Sequence, residues 1–115
     1  MAEITEKYIS PAERVVIVAA EYNGSYPGIL KAFIDAVHPD HWKGKKAALV
    51  GISSGRSGNV RGLEHLTGVL HYLQVEVCSV KPVISGIDGL LAGEELNNEE
   101  TIDVLWQQAE RFLAF

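Results

Sequence analysis

Val15-Val16-Ile17-Val18-Ala19-Ala20, running into Glu21-Tyr22-Asn23-Gly24-Ser25-Tyr26-Pro27-Gly28, decides how this chain is read. The first six residues are an unbroken, largely β-branched apolar run, the pattern of a strand buried on both faces of a parallel sheet. Beyond the second stretch, Ile29, Leu30, Phe33, Ile34 and Val37 recur at the three- and four-residue spacing of one helical face. The unit is strand, loop, helix. In open α/β sheets such a loop lies at the carboxyl ends of the strands, where ligands bind. Gly24 and Gly28 permit a tight turn or a close approach of backbone to ligand, and Pro27 is preset for a first helical turn. Tyr22 and Tyr26 add flat, amphipathic surfaces. This composition suits a flat, polar-edged ring better than a metal ion or a bare phosphate. The plain alternative is a strand-to-helix turn that binds nothing, since loops carry function often but not always.

A second unit follows the same plan. Ala47-Ala48-Leu49-Val50-Gly51-Ile52 reads as another buried strand and opens onto Ser53-Ser54-Gly55-Arg56-Ser57-Gly58-Asn59; Leu63, Leu66, Leu70 and Leu73 then mark a helix. Successive N–H groups in such a loop can form an anion-binding concavity, and Arg56 can grip a phosphate with two bonds. Glycine- and serine-rich turns are also common without ligands.

The remaining segments organise around these two units. Met1 to Ala12 reads as a short amphipathic helix ended by Pro11. In the connection His38 to Gly44, two histidines three apart do not make a metal pair, because Pro39 breaks the helical geometry that would aim them together. Trp42 is expected on the sheet's edge or on a partner chain. Val75 to Cys78 predicts a third strand, resumed around Val83-Ile84 after Pro82, with Cys78 as a small core residue. Ile87-Asp88-Gly89 and Gly93-Glu94-Glu95 read as loop. Asn97 followed by Glu100 resembles a helix cap, and Ile102, Leu105, Trp106, Ala109, Phe112 and Leu113 form the apolar face of a last helix, with Trp106 in the core.

Composition bounds the rest. The 115 residues fit one domain, 1–115, with enough length for a core. A net charge of −5 gives no basic footprint for nucleic acid or an anionic membrane. No apolar run approaches a membrane span, and Met1 to Lys7 lacks a signal-peptide pattern, so the expected compartment is the cytoplasm. One cysteine makes no internal disulfide.

Glu21-Tyr22-Asn23-Gly24-Ser25-Tyr26-Pro27-Gly28 followed by Ile29-Leu30-Lys31-Ala32-Phe33-Ile34-Asp35 resembles the signature of the NADPH-dependent FMN reductase family, flavodoxin-like proteins whose corresponding loop wraps the flavin ring. The family's usual Pro-Glu-Tyr-Asn is here Ala20-Glu21-Tyr22-Asn23. The resemblance implies an α/β fold, a flavodoxin-like three-layer sandwich with a shortened parallel sheet of about three core strands. It implies FMN as cofactor and NADPH or NADH as electron donor. By the same resemblance Tyr22, Asn23, Gly24 and Ser25 contact the flavin ring, and Ser54, Gly55, Arg56 and Gly58 close its other side. Glu21 supports the turn. A second placing of Ser53 to Asn59, as a substitute phosphate loop, stands beside this one. No side chain is assigned as catalytic and none as a metal ligand, because the chemistry belongs to the flavin.

The family pattern places a first strand, a Gly-Ser-x-Arg-x-x-Ser phosphate loop, a helix and a second strand ahead of Val15, and Met1 to Ala12 does not contain them. Val15–Ala20 is therefore expected at an open sheet edge that must be covered. The expected cover is a homodimer with Val15–Ala20 of two chains together about a two-fold axis, or a second chain supplying the absent elements. Two functions remain: a flavin-dependent NAD(P)H oxidoreductase passing hydride from a nicotinamide nucleotide through flavin to an acceptor, or an inactive flavodoxin-like binding or assembly module that has lost the FMN phosphate site.

Overall fold

The computed structural model describes residues 1–115. Its centre is the parallel pair β1 (Arg14–Ala20) and β2 (Lys46–Ile52), in register from Arg14 opposite Lys46 to Ala20 opposite Ile52. Two short strands share the position on the far side of β2. β3 (Glu76–Val77) pairs with Lys46 and Ala47, and β4 (Val83–Ile84) pairs with Gly51 and Ile52. The predicted third strand is thus interrupted, and Pro82, which has no N–H to give a ladder, lies in the break. The sheet has three strand positions, as expected.

Helices cover it from both sides. α1 (Ala2–Ile4) continues as a π-helical turn over Thr5–Ile9 and stops before Pro11. α2 (Gly28–Ala36) and α3 (Val60–Tyr72) pack on one face, where Ile34, Val37, Leu63, Leu66 and Leu70 enclose Ala19, Ala47 and Leu49. On the opposite face, α5 (Glu99–Ala114) brings Phe112 against Ala48 and Cys78. Between them, α4 (Ile87–Leu90) leads into a small hairpin of β5 (Leu91–Ala92) and β6 (Glu95–Leu96). The segment read as plain loop is therefore partly ordered, with Gly93 at φ +66° making the reversal.

Several expectations are corrected. Trp42 is not at an edge: it is 2% exposed in the main core, and its indole N–H donates to the Ile34 carbonyl at 3.2 Å. Ile29 lies off the buried face of α2, and Pro27 precedes the helix as its N-cap. The cap of α5 is Asn98, one residue later than read, whose Oδ1 accepts from the Thr101 N–H at 2.9 Å. Trp106 is 65% exposed rather than core. The inward position belongs instead to Gln108, whose Nε2 donates to Leu49 O at 2.8 Å and Val80 O at 3.0 Å. Those carbonyls lie where the break between β3 and β4 leaves β2 without a ladder partner, so one amide closes a hole in the sheet.

β1 has a strand on one side only. Val15 and Ile17 turn to the α2 and α3 core, whereas Val16 and Val18 on the other face remain more than half exposed, at 62% and 57%. No helix is long and apolar enough to cross a membrane.

Replacing Gln108 by Leu strands the buried Leu49 carbonyl and the half-buried Val80 carbonyl; we expect a loss of about 2 to 3 kcal/mol in urea unfolding, with the fold retained. Lys81 donates to Glu64 Oε2 and, at 3.3 Å, to Thr67 Oγ1, joining the strand break to α3. That hydrogen bond and the ammonium charge lower the Glu64 carboxyl below its ordinary range. Because the folded-state value is depressed, this contribution is present above the ordinary carboxyl range and is lost as pH falls through the folded value. In Lys81→Met, an NMR titration of the Glu64 side chain is expected to move up toward the ordinary value.

Candidate functional site

Register sets the site. Because β1 and β2 run parallel with Ala20 opposite Ile52, both strands end at the same height and their loops leave side by side. The Glu21 N–H still donates to Ile52 O, at 2.8 Å, before the chain turns away. Tyr22 to Ser25 then folds into a two-residue reversal, with Tyr22 N–H donating to Ser25 O at 2.8 Å and Ser25 N–H to Tyr22 O at 3.2 Å. Asn23 and Gly24 have φ of +52° and +86°, the left-handed pair that a type I′ turn demands and that Asn-Gly adopts most readily. Tyr22 and Asn23 are exposed at its tip.

The second loop is built from within. Ser53 is buried; its Oγ accepts from the Gly58 N–H at 2.8 Å and donates to Gly55 O at 3.0 Å. Gly55 O also accepts from Gly86 N–H at 2.8 Å, so the chain after β4 holds the loop from outside. Gly58 is enclosed, with φ +61° and the place of a Cβ only 2.7 Å from the Val83 Cβ. Ser53 and Gly58 thus spend polar groups inside the loop, and Ser57 Oγ accepts from the Asn59 N–H at 3.0 Å, while Ser54, Gly55, Arg56 and Ser57 are exposed. Of the residues assigned by resemblance, seven lie on the open side of this corner or border it, and Gly58 sits behind the loop as packing.

Three side-chain contacts hold the loops to each other and to β1 and α3. Ser57 Oγ donates to Glu21 Oε2 at 2.7 Å. Asn59, fully buried at φ +66°, donates from Nδ2 to Ala19 O at 3.1 Å. Ser25 Oγ and His65 Nδ1 stand 2.8 Å apart. Glu21 therefore supports the turn, as read. Arg61 lies beside the same turn, its Nη1 3.3 Å from where a Gly24 Cβ would be. Arg61 and His65, missed in the sequence, are four residues apart on the exposed side of α3; the available signal was a helix that begins at the loop and carries two polar residues at i and i+4.

At this corner Asn23, Ser54 and Arg56 are exposed, with Gly24 half-buried beside Asn23 in the turn. This donor set fits the polar edge of a flat ring. It contains no group of three or more histidine, cysteine or carboxylate side chains that could hold a metal. Cavities of comparable size lie elsewhere: a polar one of about 330 Å³ at the amino ends of the strands, bordered by Arg14, Lys45 and Lys46, an apolar one of about 310 Å³ beside β1, bordered by Tyr8, Val15 and Phe33, and one of about 350 Å³ along α5, bordered by Val80, Gln107 and Arg111.

Comparison with known proteins bears on this corner. Over 79 residues the chain is 38% identical to a 2-hydroxy-1,4-benzoquinone reductase of Burkholderia sp, covering 65% of this chain and 43% of that protein. Over 70 residues it is 40% identical to an NAD(P)H-dependent FMN reductase of Pseudomonas aeruginosa, covering 58% of this chain and 38% of the other. Its structure resembles FerB, a flavoenzyme NAD(P)H:(acceptor) oxidoreductase of Paracoccus denitrificans, with a TM-score of 0.85 and 28% identity over 98% of this chain and 65% of that one. An oxidoreductase of Corynebacterium diphtheriae shares the fold at a TM-score of 0.72, 20% identity, over 99% of this chain and 62% of that one. The chain thus spans less than half the length of the curated relatives it matches. The profile of the family described as NADPH-dependent FMN reductase matches residues 1–87, which include both loops and the strands that carry them, and the chain belongs to that family.

Proposed function

We propose that this chain carries the ring-side part of a flavin site and serves an FMN-dependent NAD(P)H oxidoreductase. The observation that supports this most is the tying of the first loop to the second, through Glu21 with Ser57, and to the helix that follows it, through Ser25 with His65, at the carboxyl ends of adjacent strands. Bound there, FMN supplies the redox chemistry, taking hydride from a nicotinamide nucleotide and passing electrons to an acceptor. The chain's own residues bind and orient. Tyr22, Asn23, Gly24 and Ser25 offer a preformed turn whose outward amide and backbone groups meet the ring edge. Ser54, Gly55 and Arg56 face the ring from the second loop, and Gly58 holds that loop against Val83. The benzoquinone reductase among the relatives makes a benzoquinone the first acceptor to assay.

Titrating purified protein with FMN and following the quenching of flavin fluorescence tests the reading. Saturable binding is expected, with NADPH or NADH oxidation in the presence of a benzoquinone. Asn23→Ala is expected to weaken binding about three- to tenfold, the equivalent of one neutral hydrogen bond. Binding without any oxidation of either nucleotide points to a binding module instead, and no binding at high micromolar FMN removes the proposal for this chain alone.

The proposed partner is a second copy, with Val15–Ala20 of two chains side by side about a two-fold axis; a second chain covering the same region is the alternative. The support is the unpaired side of β1 together with the exposure of Val16 and Val18. Sedimentation equilibrium at micromolar concentration is expected to show a dimer, and Val16→Lys to shift it toward monomer. A stable wild-type monomer contradicts both covers.

A further inference from the structure

The Asn23-Gly24 reversal is a poor candidate for standing alone. Its only internal ties are the two short backbone bonds between Tyr22 and Ser25, and an isolated reversal of this size is not stable in water. Asn23 also holds a left-handed φ of +52°, which any residue with a side chain adopts at a cost. The turn is therefore kept in shape by what it is tied to. At its entrance, Glu21 is held twice, by its N–H on Ile52 O and by Ser57 on its carboxylate. At its exit there is one side-chain tie, Ser25 to His65.

We propose that His65 is the positioning residue of the Tyr22 to Ser25 turn: by holding Ser25 Oγ against the first turns of α3, it keeps the Asn23-Gly24 backbone in the conformation offered to a planar ligand. Either neutral tautomer makes the contact, since Nδ1 can accept from the Ser25 hydroxyl or donate to its oxygen. α3 is a firm anchor for this purpose. It runs thirteen residues, and Leu63, Leu66 and Leu70 on its other side are at most 1% exposed. Arg61, one turn earlier, backs Gly24 from the same helix face, so turn and helix meet along two successive positions. Order built in before binding spares the ligand the entropy of arranging the loop, which is how an imidazole that acts through Ser25 strengthens the site.

The inference rests on the proposed flavin reading for its ligand and not for its mechanics, so two measurements separate them. In ligand-free protein, amide hydrogen exchange at Ser25, whose N–H bonds to Tyr22 O, is expected to rise about three- to tenfold in His65→Leu and in Ser25→Ala. It is expected to return toward wild type in His65→Asn, which carries a polar atom at the position of Nδ1, while the Leu66 amide is unchanged throughout. FMN affinity is expected to fall by a similar factor in each single variant and no further in the double variant. Unchanged Ser25 exchange in His65→Leu, failure of Asn to rescue, or additive losses of affinity overturns the assignment. If wild-type protein does not bind FMN, the flavin reading fails and the exchange result alone decides the role of His65.

Discussion

The seven-residue parallel ladder between β1 and β2 is the constraint on which everything else depends. Parallel pairing requires a crossover, and α2 supplies it, packing on the face where α3 also lies. In-register pairing to the last residue brings the two strand ends level. From that follows the neighbourhood of the loops, and from the neighbourhood follow the bonds of Glu21 to Ser57 and of Asn59 to Ala19 O. A slip of one residue would turn Leu49 and Ala19 out of the core and carry the loops apart.

The third strand position shows how a polar residue can be structural. β3 and β4 each contribute two residues, and the gap between them leaves carbonyls of β2 and the connecting chain facing inward. Gln108 answers both with one amide group, and Asn59 does the same service at the other end of the sheet, though its Oδ1 is buried without a partner. Both residues occupy places where an apolar side chain would pack and leave the backbone unsatisfied.

The fold was legible because its strongest signals are local: two apolar β-branched runs, leucines at helical spacing, and Asn-Gly followed by Pro-Gly. Those signals report burial on a single element. They do not report how elements divide the core, which is why Trp42 and Trp106 exchanged expected places. The helix cap was displaced by one residue because Asn97 and Asn98 are equivalent by type, and only the Thr101 contact separates them. The loops of the site were legible from their glycines and tyrosines. The residues that lock them were not, since His65 lies forty positions from Ser25 and nothing local marks the pair.

The run Val15–Ala20 is also six consecutive uncharged residues, the first four β-branched, without proline, the composition of segments that stack into cross-β fibrils. Its outer side has no ladder partner, and Val16 and Val18 face water. Arg14 before it and Glu21 after it place one charge of each sign at the two ends, so that parallel, in-register stacking of copies would bring like charges together. During synthesis this strand leaves the ribosome well before β2, so it is without its ladder partner until the sheet closes.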